Sequence, residues 1–121
     1  MTEAASAPWL VVCLCAEWCG TCKEYRPVFE ALAQQLPSMR FAWLDVEDEE
    51  DVVGDLDIVT FPTMLVGQGD QPLFLGPLLP QIGILQRMLE RFSVSGAPVL
   101  PPEDAAHALL ANVRRLLAAR A

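Results

Sequence analysis

Four cysteines fall within ten residues, at positions 13, 15, 19 and 22 of a 121-residue chain. Cysteines that serve architecture are spread out, because closing long loops is what restricts the unfolded chain. These four cannot staple anything distant, so the cluster points to chemistry, either thiol redox or metal binding. Within it, Trp18-Cys-Gly-Thr-Cys-Lys23 sits where an apolar run, Trp9–Cys15, hands over to a helical pattern. Cys19 and Cys22, three apart at a helix start, can close a small disulfide ring. When reduced, the Cys19 thiol meets the positive end of the helix dipole and unpaired backbone N–H groups. Both favour thiolate, so Cys19 is expected to titrate below the roughly 8.5 of a free cysteine. Thiolate is the attacking species in disulfide exchange, and Cys22, one turn further in, is placed to resolve a mixed disulfide. Spacing alone leaves redox chemistry, metal binding and neither open.

The elements that must position this motif are legible in the hydrophobic pattern. Trp9–Cys15 is short, apolar and rich in β-formers, a buried central strand. From Cys19 the period changes: Tyr25, Val28, Phe29, Leu32 and Leu36 share one helical face, ending before Pro37. Pro27, inside that helix, removes a backbone donor and is expected to kink it. Arg40–Val46 reads as a second strand. Eight of the 16 acids then fall between Asp45 and Asp57, which reads as a solvated helix with acids near its N-terminus. Thr63–Val66 and Leu73–Leu75 flank a glycine-containing turn, a hairpin. Pro80 can open a helix striped by Ile82, Leu85, Leu89 and Phe92. Residues 93–102 hold Gly96, Pro98, Pro101 and Pro102, a break. Ala106, Leu109, Leu110, Val113, Leu116 and Leu117 then repeat at helical spacing, with Glu103 and Asp104 expected in the first turn.

Length suits one domain, 1–121, with a core over 9–92, a linker over 93–102 and a helix over 103–120. Sixteen acidic against eight basic side chains give a net charge of −8, which argues against a partner built of phosphate backbone. No apolar run approaches the roughly 18 residues of a membrane span. Met1–Pro8 carries Glu3 and no Lys or Arg, so the basic region of a secretory signal is missing and a cytoplasmic protein is expected.

Ala16-Glu-Trp-Cys-Gly-Thr-Cys-Lys23 resembles the active-site segment of the thioredoxin family. Pro27 is similar to the family's proline five residues after the second cysteine, and Thr60-Phe-Pro-Thr63 resembles the loop bearing its cis-proline. Gly76 matches a glycine lining the substrate groove after the last strand. The resemblance covers about Trp9 to Phe92. It implies an α/β thioredoxin-like fold, a mixed four-stranded sheet flanked by helices, here with an extra C-terminal helix. It implies a protein-disulfide oxidoreductase with catalytic Cys19 and Cys22 forming a redox-active Cys19–Cys22 disulfide. Trp18, Gly20, Thr21, Phe61, Pro62 and Gly76 would shape the substrate groove, with Pro62 cis. No cofactor and no metal are implied; the partners are disulfide-containing proteins and a reductase or other dithiol donor. A weakly active adaptor module is the alternative.

Three departures matter. The family's buried aspartate, six residues before the first cysteine, is Cys13 here, and its lysine partner aligns with Trp43. Both halves of a buried ion pair are absent together, which avoids an uncompensated charge. Cys22 then lacks its carboxylate base, leaving water or Glu17. Thr21 replaces the proline common between the cysteines. The family's first strand and helix have no counterpart, so Ala105–Ala119 is expected to pack over the vacated sheet face in a monomer, with dimerisation through this helix as the rival. Cys13 and Cys15, on one side of a strand, read as small buried hydrophobes rather than as a second redox pair or metal ligands. Trp18 reads as a partly exposed platform and Trp43 as core; His107 is assigned no chemistry, and Lys23 reads as a solvated helix residue whose charge helps hold the thiolate.

Overall fold

The computed structural model describes residues 8–54, 56 and 58–120. Asp55 and Asp57 of the acidic run, and Met1–Ala7, lie outside the described residues. The elements run β1 (Trp9–Cys15), α1 (Gly20–Gln35), β2 (Met39–Asp45), α2 (Glu50–Val53), β3 (Thr63–Gln68), β4 (Gln71–Pro77), α3 (Ile82–Ser95) and α4 (Ala106–Arg120). The strands form one sheet in the order β2-β1-β3-β4, parallel between β1 and β2 and antiparallel elsewhere. The mixed sheet flanked by helices is therefore present, and β2 is an edge strand.

The strand period of two divides the interior into two cores. Val11, Cys13 and Cys15 of β1 face one side, where they pack with Cys22, Tyr25, Phe29 and Leu32 of α1 and Leu85, Met88 and Leu89 of α3. Leu10, Val12 and Leu14 face the other, against Ala106, Leu109, Leu110, Val113 and Leu117 of α4. The C-terminal helix thus covers the second sheet face within the same chain. It is pinned there by polar contacts as well: Arg114 donates to the carbonyls of Gly69 (2.6 Å) and Pro8 (3.2 Å), and Asn112 Nδ2 donates to that of Val52 (3.2 Å). Arg120 pairs with Glu49. Gly67 lies beneath α4; a Cβ there would fall 2.7 and 2.9 Å from the two methyls of Leu110.

Several boundaries differ from expectation. The acidic run yields only the four-residue α2, because Asp45 ends β2 and spends its carboxylate on the turn that follows. The hairpin strands extend into the glycine-rich segment and meet at Gly69, whose φ of 64° only glycine adopts freely. Helix α3 starts two residues after Pro80 and continues to Ser95, ended by Gly96 at φ 75°. Asp104 precedes α4, accepting from the Ala106 N–H (2.9 Å), and His107 Nε2 bonds the Leu100 carbonyl (2.9 Å), tying down the break. Trp43 is half-buried rather than core: on the edge strand it leans on Phe29 (5.7 Å between ring centroids) under the Arg26 guanidinium (5.3 Å).

Candidate active site

The strand-to-helix junction is held from both sides. The Cys15 carbonyl accepts from Val46 N–H (2.8 Å), the Ala16 carbonyl from Cys19 N–H (3.0 Å), and Glu17 N–H donates to Asp45 Oδ2 (2.7 Å). Asp45 Oδ1 accepts from the Glu47 and Asp48 N–H groups at 2.8 and 3.1 Å. Slight burial opposes ionisation of Asp45, but these three donors outweigh it and hold its carboxyl below the ordinary 3.8. Glu17, Asp45 and Asp48 bring carboxylate oxygens within 4.8 Å of one another. Both Asp45 oxygens are already taken by backbone donors, and Asp45 serves as a turn brace.

Cys19 is the N-cap of α1, in extended backbone and with no side-chain cap on the helix. The N–H groups of the first turn lie around it without partners in the helix. Its sulfur is a free thiol, and the residue is half-buried. Trp18 is 65% exposed. It meets Phe61 edge-to-face at 5.7 Å, which sets the residue before Cys19 against the residue before Pro62. The Phe61–Pro62 bond is cis. The Pro62 carbonyl accepts from Leu78 N–H (3.1 Å), and Thr63 Oγ1 donates to the Thr60 carbonyl (2.6 Å), so this loop is fixed. Gly20 is exposed and Thr21 half-buried beside Cys19; a Cβ at Gly20 would meet nothing within 4 Å. Gly76 lies within β4, opposite Met64, rather than after the last strand. Val59 and Leu79, 74% and 64% exposed, stand in the segments flanking Pro62 and β4, an apolar margin that sequence reasoning missed.

The cysteine pairing departs from the expected Cys19–Cys22. In this structure Cys22 is bonded to Cys15, with Cα atoms 5.9 Å apart, and Cys19 is free. The reason lies in the elements. Cys22 is the first inward-facing residue of α1, and Cys15 ends the β1 row that faces the same helix. Cys19, at the cap, is half-buried at the margin of the core they share and stays free. Cys15 is therefore not the inert buried hydrophobe it resembled. Cys13 keeps that role: its Sγ lies 3.7 Å from that of Cys15, and burial pushes its thiol up to about 12. It holds its proton at neutral pH and supplies no base. Burial, with Cys13 nearby, also raises the Tyr25 hydroxyl, which has no hydrogen-bond partner among the described residues. Beside Cys22 opens a cleft of about 440 Å³ lined by Glu17, Lys23, Arg26, Trp43, Asp45 and Arg120 among others.

The thioredoxin family model matches residues 2–75, more than half of the chain. The chain belongs to the thioredoxin family. A thioredoxin of Ophiophagus hannah is 36% identical over 59 residues, 49% of this chain and 56% of that protein. Human thioredoxin is 34% identical over 61 residues, 50% of this chain and 58% of its own length. The chain thus spans a little over half the length of these curated relatives. Among solved structures, Fasciola hepatica thioredoxin superposes with a TM-score of 0.64 at 24% identity, covering 74% of this chain and 86% of that one. This last likeness shows the fold. Among the described residues no helix is long and apolar enough to cross a membrane.

Proposed function

We propose that this thioredoxin-family chain reduces disulfides in proteins, with Cys19 as the attacking sulfur and Cys22 as the resolving one. The observation that carries the reading is a free, half-buried thiol capping α1 beside the Trp18–Phe61 contact and cis-Pro62. Cys19 thiolate attacks one sulfur of a client disulfide; a Cys19–client bond forms and the other client sulfur leaves as thiolate. Cys22 thiolate then attacks Cys19 Sγ, giving the Cys19–Cys22 disulfide and releasing the second client thiolate. Trp18, Gly20, Thr21, Phe61, Pro62 and Gly76 form the groove. The Cys22 proton leaves towards the adjoining cleft, where water and Glu17 take the part the missing aspartate plays elsewhere in the family. A reductase or other dithiol restores the reduced form; one relative carries the name bifunctional thioredoxin reductase/thioredoxin. The chain works as a monomer in the cytoplasm, where thiols are kept reduced.

Reduction of insulin disulfides tests this. Wild type turns over, Cys19→Ser falls to the uncatalysed rate, and Cys22→Ser traps a Cys19–insulin mixed disulfide. Turnover by Cys19→Ser, or none by wild type, refutes it.

A further inference from the structure

We propose that Cys15 is a second redox partner of Cys22, so that the protein holds its one disulfide in either of two places. One is at the surface as Cys19–Cys22, and the other is in the core as Cys15–Cys22. Three observations carry this. Cys15 and Cys22 are bonded while Cys19 is a free thiol. Both bonded cysteines are buried, at 1% and 2% exposure, between β1 and α1, with the cleft reaching Cys22 but not Cys15. And Cys22 lies one turn from Cys19 on one side and faces the end of β1 on the other, so its sulfur is the shared member of both pairs. Cys13, whose Sγ lies 3.7 Å from that of Cys15, is a free thiol.

The step moves a bond without changing the oxidation state. Starting from Cys19–Cys22, the Cys15 thiolate attacks Cys22 Sγ. The Cys15–Cys22 bond forms, the Cys19–Cys22 bond breaks, and Cys19 leaves as thiolate, taking up the proton that Cys15 gave up. The reverse step is attack of Cys19 on Cys22. The outer sulfur is thereby freed while the protein remains oxidised, and it can form a mixed disulfide that Cys22 is no longer available to resolve. A turnover-competent reductant and an oxidised form that retains its client thus share one sequence. The inference rests on the exchange reaction proposed above only as the source of the first disulfide.

The sequence permits a direct assay, because cleavage after glutamate separates residues 4–17, holding Cys13 and Cys15, from residues 18–24, holding Cys19 and Cys22. Reduced wild type is oxidised with insulin, acid-quenched, blocked with N-ethylmaleimide, unfolded, digested at glutamate and mapped by mass spectrometry. Cross-linked 4–17/18–24 is expected as a major species, and it is expected to vanish in Cys15→Ala. A disulfide confined to 18–24 in wild type overturns the proposal, as does a cross-link that survives Cys15→Ala. In a second arm, Cys19→Ser is oxidised with diamide and then treated with dithiothreitol in the folded state. With the outer thiol gone, the buried Cys15–Cys22 bond is expected to be reduced at least about tenfold more slowly than in wild type. An equal rate, or failure of Cys19→Ser to form the bond, overturns the proposal. Insulin turnover without the cross-link leaves the oxidoreductase reading standing; the cross-link after diamide without insulin turnover leaves the buried pair standing.

Discussion

Replacing Asp45 by Asn tests whether one carboxylate holds the active-site loop to the sheet. Its Oδ1 accepts from the Glu47 and Asp48 N–H groups and its Oδ2 from that of Glu17, two residues before Cys19. An asparagine can keep the two bonds to the turn through its carbonyl oxygen. Its amide nitrogen then faces the Glu17 N–H, donor against donor. Hydrogen bonds to a charged acceptor contribute about 1.5–3 kcal/mol and neutral ones about 0.5–1.5. Losing one bond and weakening two, at a partly exposed site, gives an expected cost of about 2 kcal/mol at pH 7. The sign with pH follows from the carboxyl being lowered on folding from 3.8. The stabilisation is fully present above that ordinary value and is lost as pH falls through the lower, folded one. Urea unfolding of wild type and Asp45→Asn is therefore expected to show a gap at pH 7 that narrows as pH falls below about 3.8. A gap under about 0.5 kcal/mol at pH 7, within the range of ordinary surface substitutions, refutes the reasoning. So does a gap that widens in acid.

Gly67→Ala drives a methyl to within 3 Å of buried Leu110 and is expected to cost about 1–3 kcal/mol. In the Leu110→Ala background the same change is expected to cost less, and a double-mutant cycle by urea unfolding reads the difference; additive costs refute the contact. Tyr25→Phe removes a buried hydroxyl that has no hydrogen-bond partner among the described residues and is expected to leave stability equal or raise it by about 1 kcal/mol, measured by thermal unfolding. Cys13 has a thiol raised on folding from 9.0 to about 12, so the unfolded chain ionises first and stability is lost as pH rises above 9. Between pH 9 and 10 the loss from this thiol is expected to be about 1 kcal/mol, its slope nearing about 1.4 kcal/mol per pH unit only above pH 10; Cys13→Ala is expected to remove that part in urea titrations and to leave the smaller part from the raised Tyr25 hydroxyl.

Most of the fold was legible because period and punctuation agree. The β1 run and the 3.6-residue stripes of α1, α3 and α4 fell where expected, and the terminal helix found the sheet face left open. What failed was local. The acidic run looked helical by charge placement, but Asp45 gains more by accepting three backbone N–H groups than by extending a helix. The strands around Gly69 outran their hydrophobic signal, since ladder pairing does not require apolar side chains. Cys19, Trp18 and the cis bond before Pro62 stand where the motifs put them. The partner of Cys22 could not be read from spacing, because a Cys-x-x-Cys names the neighbour in sequence and says nothing of the strand behind the helix. A signal was present nonetheless. Alternation placed Cys13 and Cys15 on one side of β1, and an inward helical face containing Cys22 and Tyr25 had to lie against one side of that strand.

The departures from the family form one consistent set. A buried aspartate beside Cys22 needs a cation to accompany it, and with Trp43 on the neighbouring strand no cation is supplied. Filling the β1 row with cysteines removes that requirement: both sulfurs are small and apolar enough for sites exposed 0% and 1%. The aspartate's own position carries Cys13, which stays a free thiol, while the sulfur bonded to Cys22 is that of Cys15, two residues on in the same row. The loss of a proton acceptor at position 13 and the gain of a sulfur partner at position 15 are therefore two changes on one face of β1. Once Cys22 is in a disulfide, whether its partner is Cys19 or Cys15 depends on which of those two sulfurs is the better-stabilised leaving thiolate. That choice belongs to β1 and α1 alone, the two elements that form the junction and that Asp45 braces.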